Sequence, residues 1–428
     1  MKKILILTSV FCMLTSLLQA QDINKIINAK EVEKIEKVLS SNKMRGRKTF
    51  TPDIDRAADF IASEFKKTGL QYWNGLNSYK QEFFMLESSN ASAVVKIDGQ
   101  TIADSLIAVS SFQPKVSLSE KNTEVLIVSS SDDFRKKYSE ALSSKKNLLV
   151  LVDAAYSSFA KRLKSRPQSK FEQPENSIVF VFGVSAATHF SIELTNNINK
   201  KPLSNVVGIL PGKSKPNEYV IFSGHYDHLG VGKPVNGDSI YNGANDDAAG
   251  TTAVIMLAKY YKKLNNNERT LIFVTFTAEE IGGFGAQYFS KQFNPEQVMA
   301  MFNIEMIGTE SKWGKNSAYI TGYEKTDMGK ILQSNLEGSG FTFYPDPYTT
   351  QNLFYRSDNA TLARLGVPAH TISTSKMDSE PNYHKVSDEI ETLDMNNMAE
   401  IIKSIAISAE GIISGKQTPT RVDTKNLR

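Results

Sequence analysis

Five stretches of this chain end an apolar run or a turn in histidine or carboxylate. They are Ile221-Phe-Ser-Gly-His225-Tyr-Asp227-His228, Gly243-Ala-Asn-Asp246-Asp247-Ala-Ala-Gly250, Phe276-Thr-Ala-Glu279-Glu280-Ile-Gly282, Asn303-Ile-Glu305-Met-Ile-Gly308 and Pro381-Asn-Tyr383-His384. Imidazole nitrogens and carboxylate oxygens are the ligands of hard-to-borderline divalent cations, and such sites commonly activate water. Two histidines and three carboxylates, one of them shared, satisfy two ions about 3.5–4 Å apart with room for water.

The roles divide by spacing. His225 and Asp227 are two apart at a strand end and point to the same side, so the carboxylate can take the other N–H of a ligating imidazole and fix its tautomer. His228 is one step out of phase and reads as a rim residue. In Asn245-Asp246-Asp247 one aspartate can bridge two ions while another caps the following helix. Glu279 and Glu280 follow a strand too apolar to end in two glutamates by chance. Their side chains diverge, so one can bind metal while the other accepts a proton from water. His189, alone among Ser/Lys-rich segments, reads as structural.

Such residues need strand ends to hold them. From Leu203 apolar strands (Tyr219–Ser223, Leu271–Thr277, Val298–Ile304, Ala318–Thr321, Val367–Ile372) alternate with helical patterns (Thr251–Leu264, Gly285–Gln292, Lys325–Gly338, Asp358–Leu365, Met395–Ile413). That alternation predicts an α/β fold with a mostly parallel central sheet and helices on both faces. In such sheets ligands gather at the carboxyl ends of the strands. Ahead of it, Ile23–Leu39 has the spacing of a surface helix. A second helix over Ile54–Leu70 starts at Thr51-Pro52-Asp53 and stops at Gly69. Between them and the sheet, residues 80–202 read as an inserted β-rich smaller domain. The divisions are 1–20 signal peptide, 21–79 helical entry, 80–202 insert, 203–414 catalytic domain and 415–428 polar, disordered tail.

Composition narrows the class. The 428 residues carry a formal charge of +4 and no basic run that would track phosphates, so nucleic acid is not implied. Lys2-Lys3, the apolar Ile4–Leu18 and Leu18-Gln19-Ala20 have the form of a secretory signal, too short and interrupted for a membrane span. Cys12, the one cysteine, lies inside it, so the mature chain has neither disulfide nor thiol chemistry. An exported protein, periplasmic or extracellular and without stable membrane association, follows.

Taken in order, these motifs resemble the M28 family of zinc aminopeptidases, with support from Asn205-Val-Val-Gly-Ile-Leu-Pro-Gly212 and Arg356-Ser-Asp358. The resemblance implies His225 on one metal and Asp246 bridging both. It places Glu280 and His384 on the other metal, Glu279 as general base and acid, and Tyr383 on the oxyanion. It implies two divalent ions, zinc, and peptide substrates cut at the N-terminus. The insert stands where some members carry a protease-associated domain. Glu305 departs from the aspartate the family commonly has, and its extra methylene, about 1 Å of reach, calls for compensation at the strand end. The competing readings are a glutaminyl-peptide cyclotransferase or a carboxypeptidase on the same frame, and a non-catalytic binding protein that kept only the fold.

Overall fold

The run Leu271-Ile-Phe-Val-Thr-Phe276 has no polar face, so it needs apolar cover on both sides. The computed structural model, which describes residues 23–165, 168–171 and 173–427, supplies it. The chain divides into two units, one formed by the chain up to Glu82 together with the chain from Leu203, the other by Phe83–Pro202.

In the first unit the strands lie in the order Thr342–Pro345, Ser317–Ile320, Ala369–Ser373, Val298–Ile304, Lys215–His225, Arg269–Phe276 and, from Leu203 on, the end of Phe190–Leu210. Lys215–His225 is parallel to both neighbours, and Val298–Ile304 is parallel to Ala369–Ser373. Antiparallel pairings join Ser317–Ile320 to Ala369–Ser373 and Arg269–Phe276 to Phe190–Leu210. Because successive side chains point to opposite faces, Val220, Phe222, Leu271, Phe273 and Phe302 enter one core. Helices Ala29–Leu39, Pro52–Thr68, Ala249–Leu264 and Met395–Ser408 close that face. Ile221, Ile272, Val274 and Met301 enter the other core, under Trp73 and the short helices Phe284–Ser290 and Asn359–Ala363. The expected mostly parallel α/β sheet, covered on both faces, is what forms.

Local chemistry sets the helix ends. Thr51 accepts from the N–H of Asp53, Pro52 opens the helix, and Gly69 closes it at φ 75°. The surface helix expected over Ile23–Leu39 is interrupted at Ile27-Asn28. Asn28 restarts it by accepting from the N–H of Glu31, and Ile27, Val32, Ile35 and Leu39 are buried, so it packs into the core.

A buried cation ties these helices to the sheet. The Arg47 guanidinium donates to the carbonyls of Leu39, Tyr226, Asn242 and Gly243 at 2.6–2.9 Å. Of those acceptors, Tyr226 and Gly243 lie in two of the five motifs. Arg47→Met is expected to cost about 3–5 kcal/mol, because it strips a charged donor from buried carbonyls. Chemical denaturation of both proteins checks this.

Nearby, the buried Glu36 carboxyl accepts from Thr252 Oγ1 at 2.7 Å, and its other oxygen has no partner. Burial pushes Glu36 from 4.5 up to about 8, against the pull of Thr252 and Arg47. The folded state therefore holds this proton where the unfolded chain has lost it. The contribution is complete below pH 4.5 and disappears as pH rises to about 8. Glu36→Gln should remove that slope and melt above the wild type at pH 9, with the two close together at pH 4.5; melting temperatures across this range decide it.

The second unit holds a four-stranded sheet in the order Ile107–Ser111, Ser177–Phe182, Leu148–Val152, Glu124–Val128. Its last three strands are parallel. Two helices, Phe134–Ser143 and Ser158–Ser165, pack on one face through Phe134, Ala141 and Ala160. Both lie in segments whose Ser and Lys content reads as loop. Asp133 starts the first by accepting from the N–H groups of Arg135 and Lys136, and a few apolar side chains decide the rest.

The tail is also corrected. Arg269 donates to the carbonyls of Ile412 and Gln417 and to Thr418 Oγ1, while Arg421 donates to Val298 O and Val422 is buried. A buried arginine needs acceptors, and the polar tail supplies them. The signal-like segment lies outside the described residues. Among those described, no helix is long and apolar enough to cross a membrane.

Candidate metal centre

Three neighbouring strands of the first unit end at one edge of its sheet. The parallel registers set His225 beside Phe276 and Ser223 beside Asn303, so His225, Glu279–Glu280 and Glu305 all arrive at carboxyl ends. Asp246 comes from the turn before helix Ala249–Leu264, and His384 from the loop before helix Met395–Ser408.

Each approach is held by main-chain hydrogen bonds. Asp388 accepts from the N–H groups of Asn245 and Asp246 at 2.8 and 3.0 Å, and the Asp246–Asp247 peptide is cis. Asp247 accepts from the N–H groups of Gly250, Met306 and His225 at 3.0–3.1 Å. It thereby caps the helix and joins three segments of the site.

Asp246 is the hub. Its Oδ1 lies 3.2 Å from His225 Nε2, and its Oδ2 lies 3.2 Å from His384 Nε2. His384 Nε2 is also 3.1 Å from Glu280 Oε2. His225, Asp246 and Glu305 offer ligand atoms all within 4.8 Å of one another, as do His228, Asp246 and Glu280. His225 Nε2 and Asp246 Oδ2 are buried without a hydrogen bond despite these short separations. Donor atoms that converge but do not bond to one another fit a cation between them.

Electrostatics agrees. Burial pushes the Glu279 carboxyl well above the ordinary range, against the pull of His225. Burial likewise pushes Asp358, both of whose oxygens lack partners, up to about 8. Positive charge brought to this cluster opposes those shifts. The Asp246 and Glu280 carboxylates beside it raise His384 to about 10. Burial, reinforced by Asp246, raises the Tyr383 phenol, which stays a hydrogen-bond donor. The Tyr383 ring stacks on His384 at 3.9 Å, and both line a cleft with Glu279, Glu280 and Glu305. Tyr319, Leu353, Arg356 and Met377 line its other wall.

Residues 205–408 match the family model of Peptidase family M28. This part of the chain, which holds all five motifs, belongs to that family. The chain is 28% identical over 213 residues to the "Probable leucine aminopeptidase" of Trichophyton verrucosum, covering 48% of this chain and 56% of that protein. It is 27% identical over 252 residues to "Leucine aminopeptidase 1" of Ajellomyces dermatitidis, covering 52% of this chain and 63% of that protein. The chain thus spans between half and two thirds of the length of these curated relatives. Two solved structures share the fold. The M28 peptidase precursor of Shewanella amazonensis aligns at TM-score 0.55 and 15% identity over 95% of this chain and 98% of that one. BSAP, a zinc aminopeptidase from Bacillus subtilis, aligns at 0.53 and 16% over 92% and 97%.

Within this site two expectations change. The Asp227 carboxylate does not take the His225 proton; His225 Nδ1 meets the main-chain oxygen of Asp227 at 3.1 Å, with the carboxylate at 3.8 Å. The strand ends at His225, so its alternation does not continue to Asp227. The carboxylate accepts instead from the N–H groups of Glu279 and Glu280 at 3.0 and 3.3 Å. His228 is not on the rim. It is buried, with Nδ1 2.7 Å from Glu280 Oε1. Asp388 carried no role by spacing, because its partners lie more than 140 residues away.

Proposed function

We propose that this protein is a metallo-aminopeptidase of the M28 type that removes N-terminal residues from peptides at a centre of two divalent ions. One observation carries the reading: Asp246 is shared by two converging ligand sets beside a cleft-lining glutamate. His225, Asp246 and Glu305 would hold one ion, and Asp246, Glu280 and His384 the other. Such a pair, for which we propose zinc, would polarise the scissile carbonyl and lower the pKa of water.

The rest falls to the chain. Glu279 accepts the proton of the attacking water and delivers it to the leaving amine. Asp227 fixes the backbone from which Glu279 and Glu280 diverge. Tyr383 donates to the oxygen on which negative charge develops. The sharing of Asp246 favours this over the cyclotransferase, which works through one ion. The segment Lys2–Ala20 supports export, with action in the periplasm or outside the cell.

The test is hydrolysis of free and N-blocked peptides by the full chain. Free-amine substrates alone should be cleaved, activity should vanish with chelator, and zinc should restore it. Conversion of N-terminal glutamine to pyroglutamate would move the assignment to the cyclase. Silence on every substrate despite bound metal would leave a binding protein.

A further inference from the structure

The turn after Asp227 brings a third histidine against the centre. His228 Nδ1 stands 2.7 Å from Glu280 Oε1 and 3.9 Å from Asp246 Oδ2, so its hydrogen bond is to the glutamate alone. Glu280 Oε2 faces His384 Nε2 at 3.1 Å. One carboxylate is thus divided between a buried imidazole behind it and a partly exposed one in front.

His228 is the rigid member. Its N–H donates to Arg47 O at 3.3 Å. Its ring lies against Gly243, where an added Cβ would stand 2.5 Å from ring atoms Cγ and Cδ2. Gly243 also has φ 58°, and its carbonyl accepts from Arg47. Glu280, by contrast, has three side-chain torsions and follows Ala278 at φ 61° in a turn outside the strand. A flexible carboxylate that must be ordered when an ion arrives weakens binding by the freedom it loses. A partner that orders it beforehand strengthens binding.

We propose that His228 is a positioning residue whose Nδ1–H fixes the Glu280 carboxylate towards Asp246 and His384, and so sets the affinity for the ion those three hold. This rests on the two-ion reading above. The role needs a hydrogen-bond donor at the Nδ1 position and no lone pair on the ion. Asparagine offers that donor, because its amide reaches the same point; alanine does not.

Zinc and, separately, cobalt(II) are titrated into the metal-free full-length wild type, His228→Ala and His228→Asn, with stoichiometry and both dissociation constants read directly. In His228→Ala one of the two constants is expected to rise about 10–100-fold, with the other unchanged. His228→Asn should recover most of that loss. Activity of His228→Ala at limiting zinc should fall and return when zinc is added. Melting of the metal-free proteins separates this from misfolding, and His228→Asn carries the test if the alanine variant does not fold. Unchanged constants in His228→Ala would overturn the assignment. So would His228→Asn binding as weakly as alanine with no rescue by zinc, which would make His228 a ligand itself. A wild type that takes up fewer than two ions would overturn the two-ion reading, and this assignment with it.

Discussion

Glu279→Gln is expected to lower kcat by about 10³-fold while leaving both ions bound and the melting temperature unchanged. Glutamine keeps the size of the side chain and loses the ability to take a proton, and general-base catalysis contributes about 10²–10⁴-fold. The main-chain N–H of Glu279 is anchored on Asp227, so the variant has no reason to move the loop. Glu279→Asp provides the geometric control. It keeps the base but withdraws it by about 1 Å, a displacement that can cost on the order of 10²-fold. Steady-state kinetics with metal analysis on the same samples reads both. A glutamine variant within tenfold of wild type, with metal still bound, would remove Glu279 from the chemistry.

Asp246→Ala should have the broader effect. Its two oxygens stand between His225 on one side and His384 on the other, so its loss takes a member from both ligand sets. We expect the variant to leave gel filtration with less than one ion per chain and with activity down by at least about 10³-fold. His384→Ala is the contrast. It leaves His225, Asp246 and Glu305 together and should retain about one ion. If Asp246→Ala keeps two ions, the shared-carboxylate centre is wrong.

The sequence carried more of this site than of its surroundings. Three of the five motifs end a short apolar run, and such runs declare strands by themselves because no polar face interrupts them. Parallel strands then deliver their carboxyl ends to one edge, which is why His225, Glu279, Glu280 and Glu305 could be grouped from chain order alone. Thr51-Pro52 and Gly69 fixed their helix for an equally local reason: the bonds that start and stop it lie within a few residues.

Tertiary structure decided the partners. Asp227 turned its carboxylate from His225 to the amides of Glu279 and Glu280, some fifty residues on, because the strand ends two residues too soon for the expected pairing. His228, out of phase by spacing, went inward because Arg47 and Gly243 hold its turn against Glu280. Glu305 sits just past the strand, with its N–H on Ile372 O at 3.2 Å and Met306 at φ 53°. Its place there is set by backbone that no propensity scale describes. Periodicity reports which residues face an apolar core, because burial is a property of each side chain. Which polar atoms meet one another depends on loops closing over distances of 50 to 200 residues, and that was settled only when the sheet brought their ends together.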